Sequence, residues 1–260
     1  MTDDERRTDE RSSERARRSG LLLTAGVYLV TEESLSAGRS SEDVVEAALD
    51  AGVRVIQVRE KDGSARRALE IAQAVRRLTL RRGALLIVND RIDIAIAAEA
   101  DGVHLGQEDL PLEDARRLLG QTALIGLSIT DVAQLASPDV ALADYLGVGA
   151  VFPTGSKSDA TLTGLALLSA ARAAAEPGAA AEAGTAADAG RAPIVAIGGI
   201  TAENAGRAVL AGADVVAVIS AIAAASDPGR AAAELLEAVH VSRAEVARSG
   251  VVLRPTGAAR

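Results

Sequence analysis

Cysteine and tryptophan are absent from the 260 residues; phenylalanine and methionine occur once each, tyrosine and histidine twice. Each scarcity closes off some chemistry. Without cysteine there is no disulfide, no thiolate nucleophile and no Cys-ligated zinc. Two imidazoles, His104 and His240, are too few for a multi-histidine metal centre. Aromatics make up 1% of the chain and apolar residues 48%, so the core must be built from Val, Ile, Leu and Ala. That is the composition of buried parallel strands covered by Ala-rich helices. A net charge of −8, with no aromatic-studded basic patch, argues against a nucleic-acid surface. No apolar run reaches the ~20 residues that a membrane span requires.

Residues 1–20 interleave arginines with Asp3, Asp4, Glu5, Asp9, Glu10 and Glu14, unlike a signal or transit peptide. A cytoplasmic protein is therefore expected. The balanced charge of residues 1–22 reads as a disordered, solvated arm. Residues 23–240 read as one folded domain, interrupted by an Ala/Gly-rich insertion at 176–192. The tail 241–260 shows no clear period.

Within the domain, short Val/Ile/Leu runs alternate with helical stretches. Strands are expected at Val27–Thr31, Val53–Gln57, Leu85–Asn89, Gly102–Leu105, Leu124–Ser128, Tyr145–Ala150, Ile194–Ile197 and Val215–Ile219. Helices open at Ser41-Glu42-Asp43, after Ser64 and near Pro111, and stop at Gly52 and before Gly83, following the usual cap chemistry. The last helix is expected over Pro228–His240. Eight strand–helix repeats imply a parallel sheet with right-handed crossovers. They fit a single α/β domain, a closed (β/α)₈ TIM barrel, for which about 250 residues is typical. A doubly wound open sheet is the alternative, but no Gly-x-Gly-x-x-Gly follows the first strand.

The stretch Val53–Lys61 is the most informative. Strand alternation puts Val53, Val55, Gln57, Arg59 and Lys61 on one face, which begins apolar and ends in an amide, a guanidinium and an ammonium. Arg offers a planar fork and Lys a point charge, together suited to a diphosphate. Two solvated cations paired with Glu60 or Asp62 would be the plain alternative. In a barrel, however, the active site lies at the C-terminal strand ends, and those ends are polar nearly throughout. They supply Gln57, Arg59 and Lys61, then Asn89 and Asp90, Asp109, Ser128, Thr154, Ser156 and Lys157, Gly198-Gly199 and Ser220.

Asp90 and Asp109 fall on neighbouring strand ends beside the cations. Such a pair could share Mg²⁺ with a diphosphate, or each could simply cap the following helix. Gly198-Gly199 and Ser220 match the backbone-amide phosphate site common after the last two barrel strands. His104, between Val103 and Leu105, reads as a packed strand histidine rather than a general base.

Several motifs together resemble the thiamine-phosphate synthase family: Gln57-Val-Arg-Glu-Lys61, Val88-Asn-Asp90, Asp101-Gly-Val-His-Leu-Gly-Gln-Glu-Asp109, Gly126-Leu-Ser128, Val151-Phe-Pro-Thr-Gly-Ser-Lys157, Ile197-Gly-Gly-Ile200 and Val218-Ile-Ser-Ala-Ile222. The resemblance covers about residues 26–238. It implies an enzyme that couples a hydroxymethylpyrimidine diphosphate to a thiazole monophosphate and releases pyrophosphate. By position, it implies a pyrimidine-diphosphate set of Gln57, Val58, Arg59, Glu60, Lys61, Asn89, Ser128 and Lys157. Within that set Arg59, Lys61, Ser128 and Lys157 are the expected catalytic residues. It implies Mg²⁺ on Asp90 and Asp109, and thiazole phosphate on Thr154, Gly155, Ser156, Gly199, Ile219 and Ser220. Where the family commonly has threonine and proline, this chain has Ser156 and Ala150. The implied partners are small phosphorylated substrates, with neither nucleic acid nor membrane; a homo-oligomer is compatible with the sequence. A thiazole tautomerase on the same barrel would need neither the metal pair nor diphosphate ligands.

Overall fold

The computed structural model describes residues 3–61, 63–154, 164–175 and 192–249. Eight parallel strands close on one another in chain order: β1 (Val27–Val30), β2 (Val55–Val58), β3 (Leu85–Asn89), β4 (Gly102–Leu105), β5 (Leu124–Ile129), β6 (Tyr145–Val148), β7 (Ile194–Ile197) and β8 (Val215–Val218). Pairing of β1 with β8, Val27 against Val216, completes the ring. The helices are α1 (Asp3–Thr24), α2 (Ser41–Ala51), α3 (Ala65–Arg82), α4 (Ile92–Ala97), α5 (Leu112–Leu119), α6 (Asp139–Leu142), α7 (Gly164–Ala174), α8 (Ala205–Leu210), α9 (Ser220–Ala223) and α10 (Pro228–Ser249).

Period-two alternation sorts the strand side chains into two apolar layers. Val55, Leu85, Ile87, Leu124, Val195 and Val215 fill the barrel interior, while Ile56, Val58, Leu86, Val88 and Val103 face the helices. Aliphatic runs thus identify a strand well, but its ends shift. The second strand begins at Val55 rather than Val53, and Val53 packs in the outer layer. Caps shift by a residue too. Ser40, not Ser41, accepts the Asp43 N–H at 3.1 Å. Ser64 accepts the Arg67 N–H at 3.2 Å, as its position foretells. Gly52 and Gly83 end their helices in the left-handed region, at φ 113° and 60°, where glycine avoids a Cβ clash.

Two expectations at the chain ends are corrected. The arm 1–22, expected disordered, is helical from Asp3 onward as α1. Its Arg15 donates to Asp144 at 2.6 Å, its Arg18 lies 3.2 Å from Asp101, and Leu22 is fully buried at the floor of the barrel. The arm is ordered by partners 129 and 83 residues away, which its own composition cannot reveal. Residues 241–249, expected to be peripheral, continue α10. Ala232, Leu235, Val239, Ser242 and Val246 repeat at spacings of three and four on its packed face. Ser242 interrupts the apolar pattern because it sits over Gly206, where a Cβ would come within 2.6 Å of its hydroxyl. The insertion 176–192, apart from its last residue, and the tail from 250 onward lie outside the described residues.

One device recurs at the N-terminal rim. Asp101, Asp144 and Asp214 each precede a strand (β4, β6 and β8). Each carboxylate accepts the N–H that opens or nearly opens the preceding strand: Leu86 at 2.9 Å, Ile125 at 2.7 Å and Ile194 at 2.8 Å. Each also binds an arginine from the preceding long helix: Arg76 at 2.7 Å, Arg116 at 2.6 Å, and Arg172. A terminal helix adds a second arginine each time. Arg18 and Arg15 reach the first two carboxylates, and Arg243 of α10 donates to the Asp214 carbonyl. Buried charges survive only when paired and hydrogen-bonded. Replacing Asp144 with alanine leaves Arg15 and Arg116 facing each other without a counter-charge. Urea unfolding should then show a loss of about 3–5 kcal/mol.

Candidate active site

All eight strands deliver their C-terminal ends to one rim, which opens into a cavity of about 620 Å³. Gln57, Arg59, Lys61, Asn89, Asp90, Asp109 and Ser128 line it on one side. Thr154, Gly199, Ile219 and Ser220 line it on the other. Val58 and Glu60 do not belong to the lining. Alternation turns the Val58 side chain into the helix layer, where it is 3% exposed, and Glu60 has the same parity. Gly155, Ser156 and Lys157 lie outside the described residues.

The cationic side has a partner that sequence reading missed. The Arg59 guanidinium pairs with Glu32, just beyond β1, and its backbone N–H donates to Thr31 Oγ1 at 3.2 Å. Glu32 is 5% exposed, so the guanidinium is held against a fixed carboxylate instead of sweeping through solvent. In the sequence, Thr31-Glu32-Glu33 looks like an ordinary polar strand end, and nothing local reveals a partner 27 residues on.

Asp90 and Asp109 do not act as helix caps. The N-cap position of α4 is Arg91 and that of α5 is Pro111, and neither helix start receives a side-chain cap. Asp109 instead accepts the Gly106 N–H at 2.6 Å, closing the loop after β4. Asp90 sits at φ 61°, a left-handed conformation that aspartate tolerates better than most residues, and its N–H donates to the His104 carbonyl at 2.9 Å. Burial pushes the Asp90 carboxyl up to about 6, and the neighbouring Asp109 carboxylate adds to the effect against the pull of Lys61 and Arg59. Two carboxylates that repel each other at a cavity wall form a donor pair that a hard divalent cation would relieve.

On the other side, Gly198 and Gly199 are at φ 100° and 63°. A Cβ on Gly198 would lie 2.6 Å from Ala150, and one on Gly199 would lie 2.3 Å from the Pro153 carbonyl oxygen. The glycine pair therefore lets the segment after β6 press against the end of β7, which it does through Val151 N–H to Ile197 O at 2.9 Å and Phe152 N–H to Gly198 O at 3.0 Å. The pair does not open a helix directly, because α8 begins at Ala205.

Across the cavity floor runs a chain of polar contacts. Gln57 Nε2 donates to Tyr28 Oη at 2.7 Å, Tyr28 Oη meets Tyr145 Oη at 3.1 Å, and His104 bridges Tyr145 Oη (3.1 Å) to Ser128 Oγ (2.9 Å). Burial holds the His104 imidazole down at about 4, opposed by the Asp109 charge, and raises both tyrosines. Two glycines make room for this group. A Cβ on Gly126 would fall 2.1 Å from Tyr145 Cζ, and one on Gly147 would fall 2.6 Å from His104 Cε1. His104 is indeed packed in its strand, as expected, but it is also joined to Ser128. Tyr28 and Tyr145 escaped notice because they lie in the strands rather than at their ends. Their rarity was the available signal: both tyrosines of the chain are here.

Comparison with known proteins decides the family. The family model described as thiamine monophosphate synthase matches residues 27–222. The chain belongs to the thiamine-phosphate synthase family. The thiamine-phosphate synthase of Haloquadratum walsbyi is 45% identical over 218 residues, 84% of this chain and 92% of that one. That of Haloarcula marismortui is 48% identical over 217 residues, 84% and 98% of the respective chains. The solved thiamine phosphate pyrophosphorylase of Pyrococcus furiosus superposes with a TM-score of 0.71 at 35% identity, covering 85% of this chain and 98% of that one. Membership makes the protein a transferase of thiamine biosynthesis, with the thiamine-phosphate synthase activity (EC 2.5.1.3). Among the described residues no helix is long and apolar enough to cross a membrane.

Substituting Gly126 with alanine should drive Tyr145 and His104 apart. Turnover should fall by about tenfold or more, and overpacking should cost about 1–3 kcal/mol. Steady-state kinetics and urea unfolding of the variant check both effects.

Proposed function

We propose that the cavity joins 4-amino-2-methyl-5-hydroxymethylpyrimidine diphosphate to a thiazole monophosphate, yielding thiamine phosphate and pyrophosphate in the cytoplasm. The observation that carries this reading is the construction of the two walls. Arg59, Lys61 and the Asp90–Asp109 pair stand on one wall, and Thr154, Gly199 and Ser220 on the other, all in one cavity. The first suits a diphosphate held through cations, the second a monophosphate held by backbone and hydroxyl groups.

The bond that breaks is the C–O bond between the pyrimidine methylene and the diphosphate, with the electron pair leaving on pyrophosphate. The thiazole nitrogen lone pair then forms the new C–N bond to that methylene. The aminopyrimidine ring can delocalise the cation between these events, so no protein nucleophile is required. The protein's task is to hold charge and geometry. Arg59, oriented by Glu32, and Lys61 face the departing oxygens as preorganised positive charge. Lys157 joins them in this reading on the strength of its motif alone. Gln57, Asn89 and Ser128 would hold the pyrimidine half; Thr154, Gly155, Ser156, Gly199, Ile219 and Ser220 would hold the thiazole phosphate.

Asp90 and Asp109 fit Mg²⁺, which commonly takes one or two carboxylates and fills its shell with phosphate oxygens and water. When bound, the ion would offset negative charge growing on pyrophosphate. The raised Asp90 carboxyl supports a site that works best with a cation between the two acids. A tautomerase would have no use for this pair.

Pyrophosphate release from the purified protein, measured with both substrates in Mg²⁺ or EDTA, tests the reading. Release should require both substrates and the metal, and Asp109→Ala should lower it by orders of magnitude while the barrel stays folded. Release without the metal, or normal turnover by Asp109→Ala, would remove the carboxylate pair from the mechanism.

A further inference from the structure

The chain Gln57–Tyr28–Tyr145–His104–Ser128 contains five polar groups and four contacts, and the hydrogens in it can be counted. Gln57 Nε2 is a donor only, so Tyr28 Oη must accept from it. The Tyr28 hydroxyl hydrogen then goes to Tyr145 Oη, its other partner, at 3.1 Å. Tyr145 in turn gives its hydrogen to His104 Nδ1, also at 3.1 Å. His104 Nδ1 is therefore an acceptor and bears no hydrogen, which places the ring hydrogen on Nε2, facing Ser128 Oγ at 2.9 Å. Ser128 accepts that hydrogen and has its own hydroxyl hydrogen left, at a position that lines the cavity. Every contact follows from the first, so the chain has a single direction. An imidazolium at His104 would break it, because Nδ1 and Tyr145 would then both offer hydrogens.

We propose that Tyr28, Tyr145 and His104 are positioning residues that transmit the donor sense of the Gln57 amide across the barrel floor, so that Ser128 presents an O–H donor to the ligand. The consequence is a specificity rule. A substrate group that offers an acceptor at Ser128, such as an unprotonated ring nitrogen, takes its hydrogen and is favoured, whereas a group that only donates can use just the second lone pair of Oγ and leaves the Ser128 hydrogen without that partner. The opposite sense requires the Gln57 amide to turn over, which reverses all four contacts together and makes Ser128 an acceptor. The chain is thus all-or-none, and it couples the two ends of the site that face the pyrimidine in the proposed function, on which the choice of ligand rests.

Both the surroundings and the makeup of the chain fit this role. Gly126 and Gly147 are empty where a Cβ would strike Tyr145 and His104, so the strands on either side hold these rings in register. Tyr28 and Tyr145 are 1% and 0% exposed, which leaves no water to substitute for a missing partner.

The tautomer of His104 tests the proposal without any substrate. In ¹⁵N-histidine-labelled protein carrying His240→Asn, an exposed position on α10 outside the cavity lining, the remaining imidazole signals belong to His104. At neutral pH, ¹⁵N NMR should show hydrogen on Nε2 and none on Nδ1. In Tyr145→Phe, which keeps the ring volume, Nδ1 loses its donor and the Nδ1–H form should gain population. The KM for the pyrimidine substrate should rise by roughly tenfold, as for the loss of one aligned hydrogen bond, with the KM for the thiazole substrate unchanged. A wild-type His104 with hydrogen on Nδ1, or on both nitrogens, would overturn the proposal. So would a tautomer unaltered by Tyr145→Phe. Because the tautomer is read on the free protein, the result holds whether or not the enzyme releases pyrophosphate.

Discussion

Pairing of β1 with β8 is the constraint on which the rest depends. Once Val27 lies against Val216, the sheet has no edge, and strands that are all parallel must present all their C-terminal ends on one rim. Residues scattered from Gln57 to Ser220 then meet around one cavity of about 620 Å³, with no long-range signal needed in the sequence beyond the repeated strand–helix pattern. The opposite rim inherits the complementary task of closing the barrel against water. Here it does so with Leu22 of α1 and the three Asp–Arg groups at Asp101, Asp144 and Asp214. Stability is concentrated below and chemistry above.

That separation explains why the site can carry unfavourable features. Asp90 is held in a left-handed conformation next to Asp109, Arg59 is partly matched by Glu32, and two strands carry glycines, Gly126 and Gly147, where a Cβ would strike Tyr145 and His104. Each weakens a generic barrel, and each has a reason at the cavity. The carboxylates repel one another where, in the proposed function, a cation would lie between them. Glu32 fixes a guanidinium that would otherwise be mobile. The glycines admit the Tyr145–His104 pair. Glycine inside a strand usually marks such a close approach.

How much of this could be read from the sequence depended on where each signal sat. Leu85–Asn89, Gly102–Leu105 and Ile194–Ile197 were legible as strands because their aliphatic runs are short and bounded. Asp90, Asp109, Arg59 and Lys61 could be placed at the cavity because they follow strand ends, which a barrel gathers on one rim. Val58 was assigned to the ligand through its motif, but its parity takes its side chain to the helices. The α1 helix was not legible, since its order comes from Asp101 and Asp144, far along the chain. Nor was the last part of α10, where Ser242 disguises the helical period. Tyr28 and Tyr145 were missed for another reason: strand-end reading overlooks interior positions, although two tyrosines in so aliphatic a chain invite a question about what their hydroxyls do.

The central claim is that the wall bearing Asp90, Asp109, Arg59 and Lys61 takes a diphosphate through a divalent cation. Calorimetric titration of the protein with inorganic pyrophosphate, in Mg²⁺ and again in EDTA, addresses it most directly. The account predicts binding in Mg²⁺ that weakens by roughly tenfold or more when the metal is removed, with most of that difference lost in Asp90→Asn. Equal affinity with and without Mg²⁺ would contradict it and leave the carboxylate pair without a role in holding the diphosphate.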